Sequence, residues 1–179
     1  MQDRRQILKR SAALAGLLTL TAHHGMGAAQ NAPDSEAAAP HLPDVGAPLR
    51  LPEVTLLDGS VFSPRQAEGH VLVLYWWASW CPFCALQNPY MEKLWQSHNS
   101  LGLKMLALSI DRRREDATRY LQKKAYSFPA GLVTPAISRV LPKPKGLPVT
   151  VVRGRDGKVL DANKGQMFPD EVEQLARWL

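Results

Sequence analysis

Residues 71–91, VLVLYWWASWCPFCALQNPYM, decide the fold. Residues 71–77 form an unbroken run of valine, leucine and aromatic side chains, which predicts a strand buried on both faces of a sheet. The period then changes. Phe83, Leu86, Tyr90 and Leu94, with Met91 and Trp95, recur every three to four residues, so the chain from Pro82 to about His98 is predicted helical, with Pro89 as a kink. Between strand and helix lie Cys81 and Cys84, the only two cysteines of the 179 residues.

A cysteine at the start of a helix meets unpaired backbone N–H groups and the positive end of the helix dipole, and both favour its thiolate. Cys81 is therefore the expected nucleophile. Cys84, one turn further in, is within disulfide reach but more enclosed, which suits the resolving thiol that breaks a mixed disulfide. Pro82 occupies a first-turn position where its missing N–H costs least. Zinc is a poorer reading, because two of His41, His70 and His98 would have to complete the ligand set and none has a finger-like or ribbon-like spacing. A purely structural disulfide would close so short a loop that it would remove little chain entropy.

The pattern extends in both directions. A hairpin is expected around Asp58-Gly59, with a strand over residues 51–57 before it and Val61-Phe62 after it. After the cysteine helix come a second buried strand, LKMLALSI, and a helix from about Arg113 to Lys124. An irregular insertion bracketed by Pro129 and Pro135 follows, then a short helix over residues 134–141. LPVTVV and KVLDAN flank Gly154-Arg155-Asp156-Gly157 and predict an antiparallel hairpin. The tail from Pro169, with acidic residues in its first turn and Val172, Leu175, Ala176 and Leu179 on one face, predicts a final helix. The class is α/β, with a central mixed sheet and helices on both faces.

VLYWWASWCPFC resembles the strand and active-site helix of the thioredoxin superfamily. WASWCPFCALQNPYM is similar to its TlpA/ResA-like branch of exported thiol-disulfide oxidoreductases. The resemblance spans roughly residues 45–179, and its second anchor is Gly146-Leu147-Pro148-Val149-Thr150, which matches the family's Gly-x-Pro before a strand. It implies a thioredoxin-like fold with an N-terminal β-hairpin. It also implies a cis peptide at Leu147-Pro148 beside Cys81, with Pro148 contacting substrate, and protein thiol and disulfide clients. Trp80, Pro82, Phe83 and Leu147 are the expected client-contacting residues. No cofactor and no metal are called for.

The chain departs from the family at two positions. Thioredoxins commonly hold a buried aspartate six residues before the first cysteine, where this chain has Tyr75. The TlpA/ResA-like branch often has a glutamate three residues after the second cysteine, where this chain has Gln87. A carboxylate near a dithiol disfavours the thiolate and can carry its proton. Two neutral side chains in its place tune the pair toward the dithiol and make the disulfide more oxidising, unless Glu68 or Asp111 compensates. The resemblance implies a protein disulfide reductase, with oxidase or isomerase as the alternative that the missing carboxylates support. A thiol peroxidase would want Thr or Ser at Ala78, and a copper-binding module would need Cys81 and Cys84 with His70 or His98.

Residues 1–29 have a basic head, an apolar stretch of 12 residues over 11–22, and small residues at Gly27, Ala28 and Ala29, which is the pattern of an export signal. The stretch is shorter than the ~20 residues a spanning helix needs. Arg4-Arg5-Gln6-Ile7-Leu8-Lys9 resembles a twin-arginine signal; a Sec-type head with two arginines is the alternative. Either predicts a periplasmic protein, tethered to the membrane only if the signal is uncleaved, with a membrane electron donor as expected partner. Residues 30–45, rich in Ala and Pro, are expected to be a flexible linker, and residues 46–179 the domain. Half of the formal charge of +6 falls in the signal, and no basic face with interleaved aromatics suggests nucleic acid.

Overall fold

In the computed structural model, which describes residues 39–179, the two-sided apolar run becomes strand β3 (Leu72–Trp77), with every side chain buried. β3 is the middle of a five-stranded sheet. On one side it pairs in parallel with β4 (Lys104–Ser109), which carries β5 (Ala130–Leu132), also in parallel, at the edge. On the other side it pairs antiparallel with β6 (Val149–Arg153), which carries β7 (Val159–Lys164) antiparallel at the opposite edge. Parallel neighbours need long crossovers. Helix α1 (Pro82–His98) supplies the one between β3 and β4, and α2 (Arg114–Lys124) the one between β4 and β5.

Alternation along β3 divides the core in two. Val73, Tyr75 and Trp77 face one cluster with Met91 and Leu94 of α1, Ala117 and Leu121 of α2, and Val172 and Leu175 near the C-terminus. Leu72, Leu74 and Trp76 face the other. That side is covered by the two-stranded hairpin β1 (Val54–Thr55) and β2 (Val61–Phe62), by the short 3-10 turn Pro64–Ala67, and by helix α3 (Pro135–Val140). Helices therefore lie on both faces.

Two details differ from the expectation. The insertion after Pro129 contains β5, a strand of three residues that continues the sheet and is bridged by Leu56. The last helix is α4 (Pro169–Glu173) only, and tightens into a 3-10 turn over Gln174–Trp178. The expected export signal and residues 30–38 lie outside the described residues. From Pro40 onward the lead-in touches the body: the Lys145 N–H donates to the Pro40 carbonyl at 3.1 Å, and Leu42 packs on the second core. Among the described residues no helix is long and apolar enough to cross a membrane.

Candidate active site

The parallel side of the sheet aims the C-terminal end of β3 at the site. The chain leaves β3 at Trp77, turns through residues 78–80, and enters α1 with Cys81 as N-cap and Pro82 as first helical residue. Cys81 caps the helix with its sulfur, since the Cys84 N–H donates to Cys81 Sγ at 3.2 Å. Cys81 is 4% exposed and Cys84 is fully buried. Burial above all, with the adjacent Cys81 thiol, pushes the Cys84 thiol far above its ordinary range, against the Ala78 N–H and the Tyr75 hydroxyl, which favour the anion.

The loop is clamped from β4. Asp111 accepts from the Ser79 N–H at 3.0 Å and the Ser79 hydroxyl at 2.6 Å, and the Ser109 hydroxyl holds the same carboxylate at 2.7 Å. Asp111 is thus brought beside the dithiol loop as a structural acceptor. Glu68 is not, because it precedes β3 whereas Cys81 follows it, about 20 Å further on at strand rise.

Register brings the second motif to the same end of the sheet. Trp76 pairs with Val149, so Pro148 stands level with Trp77, and the Leu147-Pro148 peptide is cis. Leu147 is half-buried against both core clusters, whereas Trp80 and Phe83 are 64% and 56% exposed and Pro82 is exposed. Leu86, Tyr90 and Phe168 are exposed as well, so five of the nine large apolar side chains exposed among the described residues belong to this loop, to α1, or to the loop beside it. Helical spacing put Leu86 and Tyr90 on the apolar face. The buried face is instead the one carrying Cys84, Met91 and Leu94.

Tyr75 and Gln87 are both buried and both hydrogen-bonded. The Tyr75 hydroxyl donates to Asn88 Oδ1 at 2.8 Å, and burial first, then the two cysteines, raises its own titration well above normal. Gln87 Nε2 donates to Thr150 Oγ1 at 3.1 Å, and Gln87 Oε1 accepts from the Met167 N–H at 2.8 Å, so this amide ties α1 to the strand after Pro148 and to the loop before α4. Asn88 and Tyr120 escaped the sequence reading. Asn88 offered one signal, a polar residue one turn after Cys84; Tyr120 offered none. Among the described residues no group of three or more His, Cys, Asp or Glu side chains is arranged to hold a metal ion. His98, fourteen residues along α1 from Cys84, is about 21 Å away at helical rise.

The family model for redoxin matches residues 44–178. The chain belongs to the redoxin family. This redoxin is 26% identical over 123 residues to the thiol-disulfide oxidoreductase ResA of Halalkalibacterium halodurans, covering 66% of this chain and 68% of that one. It is 25% identical over 128 residues to the ResA of Bacillus thuringiensis subsp. konkukian, covering 69% and 72%. Among solved structures it is similar to a chain from Chlorobium tepidum assigned as a thiol:disulfide interchange protein DsbE, with TM-score 0.66, 26% identity, and 75% and 94% of the two chains covered. StoA from Bacillus subtilis shares the fold at TM-score 0.62 and 16% identity, over 73% and 98%. The redoxin is accordingly a thioredoxin-like thiol-disulfide oxidoreductase of the ResA/DsbE type.

Proposed function

We propose that this redoxin reduces disulfides of protein clients in the periplasm, with Cys81 as nucleophile and Cys84 as resolving thiol. The observation that carries the reading is the N-cap itself, a cysteine sulfur accepting the N–H of a second, fully buried cysteine in the first turn of a helix. Cys81 attacks one sulfur of the client disulfide and the other client sulfur leaves as a thiol. Cys84 then attacks Cys81 Sγ, the client's second thiol departs, and the Cys81–Cys84 disulfide holds the oxidation. Two electrons pass to the client, and a membrane reductant restores the dithiol.

The client segment lies against Trp80, Pro82, Phe83 and Leu147, with main-chain pairing beside Pro148. The exposed apolar rim and the shared end of the sheet support this placement. The periplasmic reading rests on the signal pattern of residues 1–29. Neutral Tyr75 and Gln87 support the reverse direction, oxidase or isomerase, as second reading, and the reduction potential against the glutathione couple decides between them.

A Cys84→Ser variant, expressed in a periplasm-bearing host, is expected to accumulate mixed disulfides through Cys81 that reductant dissolves. Clients trapped equally by Cys81→Ser, or none trapped, would remove the assignment.

A further inference from the structure

Resolution requires the Cys84 thiol to give up its proton inside the core. The two buried carboxylates near α1 are already engaged: Asp111 by Ser79 and Ser109, and Glu92 by Gln96, Ser127 and the Phe128 N–H. Asn88 follows Cys84 by one turn on the buried face of α1, which sets the Tyr75 hydroxyl that bonds Asn88 beside the Cys84 thiol. Tyr75 comes from the middle of β3 and is held by a chain of side chains. Its hydroxyl donates to Asn88 Oδ1 at 2.8 Å, and Asn88 Nδ2 donates to the Tyr120 hydroxyl on α2 at 3.1 Å. Tyr120 in turn packs on Trp77 with ring centroids 5.4 Å apart, and lines a surface hollow with Trp80, Asp111, Asp116, Arg119 and Lys123.

We propose that the Tyr75 hydroxyl, oriented by Asn88 and Tyr120, is the hydrogen-bond donor that stabilises the Cys84 thiolate during resolution, so that the site works with a neutral donor and no carboxylate base. The inference rests on the reading of Cys81 and Cys84 as a redox pair. In the step, the Cys84 proton finishes on the departing client sulfur. The Cys84 electron pair forms the bond to Cys81 Sγ, and the pair of the broken Cys81–client bond leaves with the client. Tyr75 keeps its proton throughout and swings its O–H from Asn88 Oδ1 to the Cys84 sulfur. The titratable groups facing this centre are Cys81 from α1, Tyr75 from β3 and Tyr120 from α2, with Asp111, Asp116, Arg119 and Lys123 around the outer end of the chain.

The test uses the full reduced chain and 5,5′-dithiobis-(2-nitrobenzoate), which releases one coloured thiolate when Cys81 attacks and a second when Cys84 resolves. Tyr75→Phe is expected to leave the first release unchanged, to slow the second roughly 10- to 100-fold, the value of a hydrogen bond to a charged group, and to move its pH profile upward. Tyr120→Phe, at a half-buried site, keeps the Tyr75 hydroxyl but loosens its orientation, and should fall between the two. A second release at the wild-type rate and pH profile in Tyr75→Phe would overturn the proposal. Should that buried substitution unfold the chain, an unchanged second release in Tyr120→Phe would overturn it instead. Absence of a second release from the wild type would overturn the redox-pair reading beneath it.

Discussion

Cys84 joins full burial to a titratable group, and that combination has a thermodynamic signature. An unfolded thiol titrates near 8.5, whereas burial holds the folded one protonated to higher pH. Above about pH 8.5 the unfolded chain therefore binds fewer protons than the native one. The stability contribution is complete below that value and is lost as pH rises toward the folded one, at most about 1.4 kcal/mol per pH unit. The urea midpoint of the fully reduced protein is expected to fall between pH 8.5 and 10, and a Cys84→Ala variant should fall less. Parallel slopes would refute the assignment. Buried Tyr75 adds a loss of the same sign, developed above about pH 10, where free tyrosine is more than half ionised.

The element on which the chemistry turns is the three-residue link between β3 and α1. Its geometry depends on Asp111, which takes both polar groups of Ser79 while Ser109 fixes the carboxylate from within β4. Asp111→Ala leaves a backbone N–H and two hydroxyls without their acceptor in a largely buried place, and is expected to cost about 2–4 kcal/mol. Denaturant unfolding measures it, and a loss under about 0.5 kcal/mol would show that the clamp is idle. Legibility also varied by element. β3 and β4 were readable because continuous apolar runs mark strands buried on both faces, and the β6–β7 turn because Gly157 takes φ 85°, which its Asp-Gly signature anticipates. β5 was not readable: Ala-Gly-Leu between prolines has no two-residue period, and it is a strand because β4 offers it a free edge.

In the whole molecule, the hairpin and the sheet meet at that same β5. A Cβ on Gly131 would collide with Val54 Cγ1 and stand 3.2 Å from the Thr55 carbonyl oxygen, so only glycine lets β1 approach the edge. Gly131→Val is expected to destabilise the protein by about 2–3 kcal/mol. It should leave the rate of Cys81 attack unchanged, because β5 lies two strands from β3, about 10 Å across the sheet. Thermal unfolding and the first release of coloured thiolate measure the two halves of this prediction, and equal losses in both would contradict it. The sequence by itself determined the order of the main elements, the seat of both cysteines at a helix start, and the family likeness, since each is written in local period, turn chemistry or short spacing. Only the tertiary structure decided that Pro148 stands at the same end of the sheet as the dithiol loop, that Asp111 is consumed by Ser79, that Gln87 joins Thr150 and Met167, and that Tyr75 reaches Tyr120 through Asn88. These partners are 13 to 80 residues apart. Strand register and helix packing select them, and no local pattern carries that information.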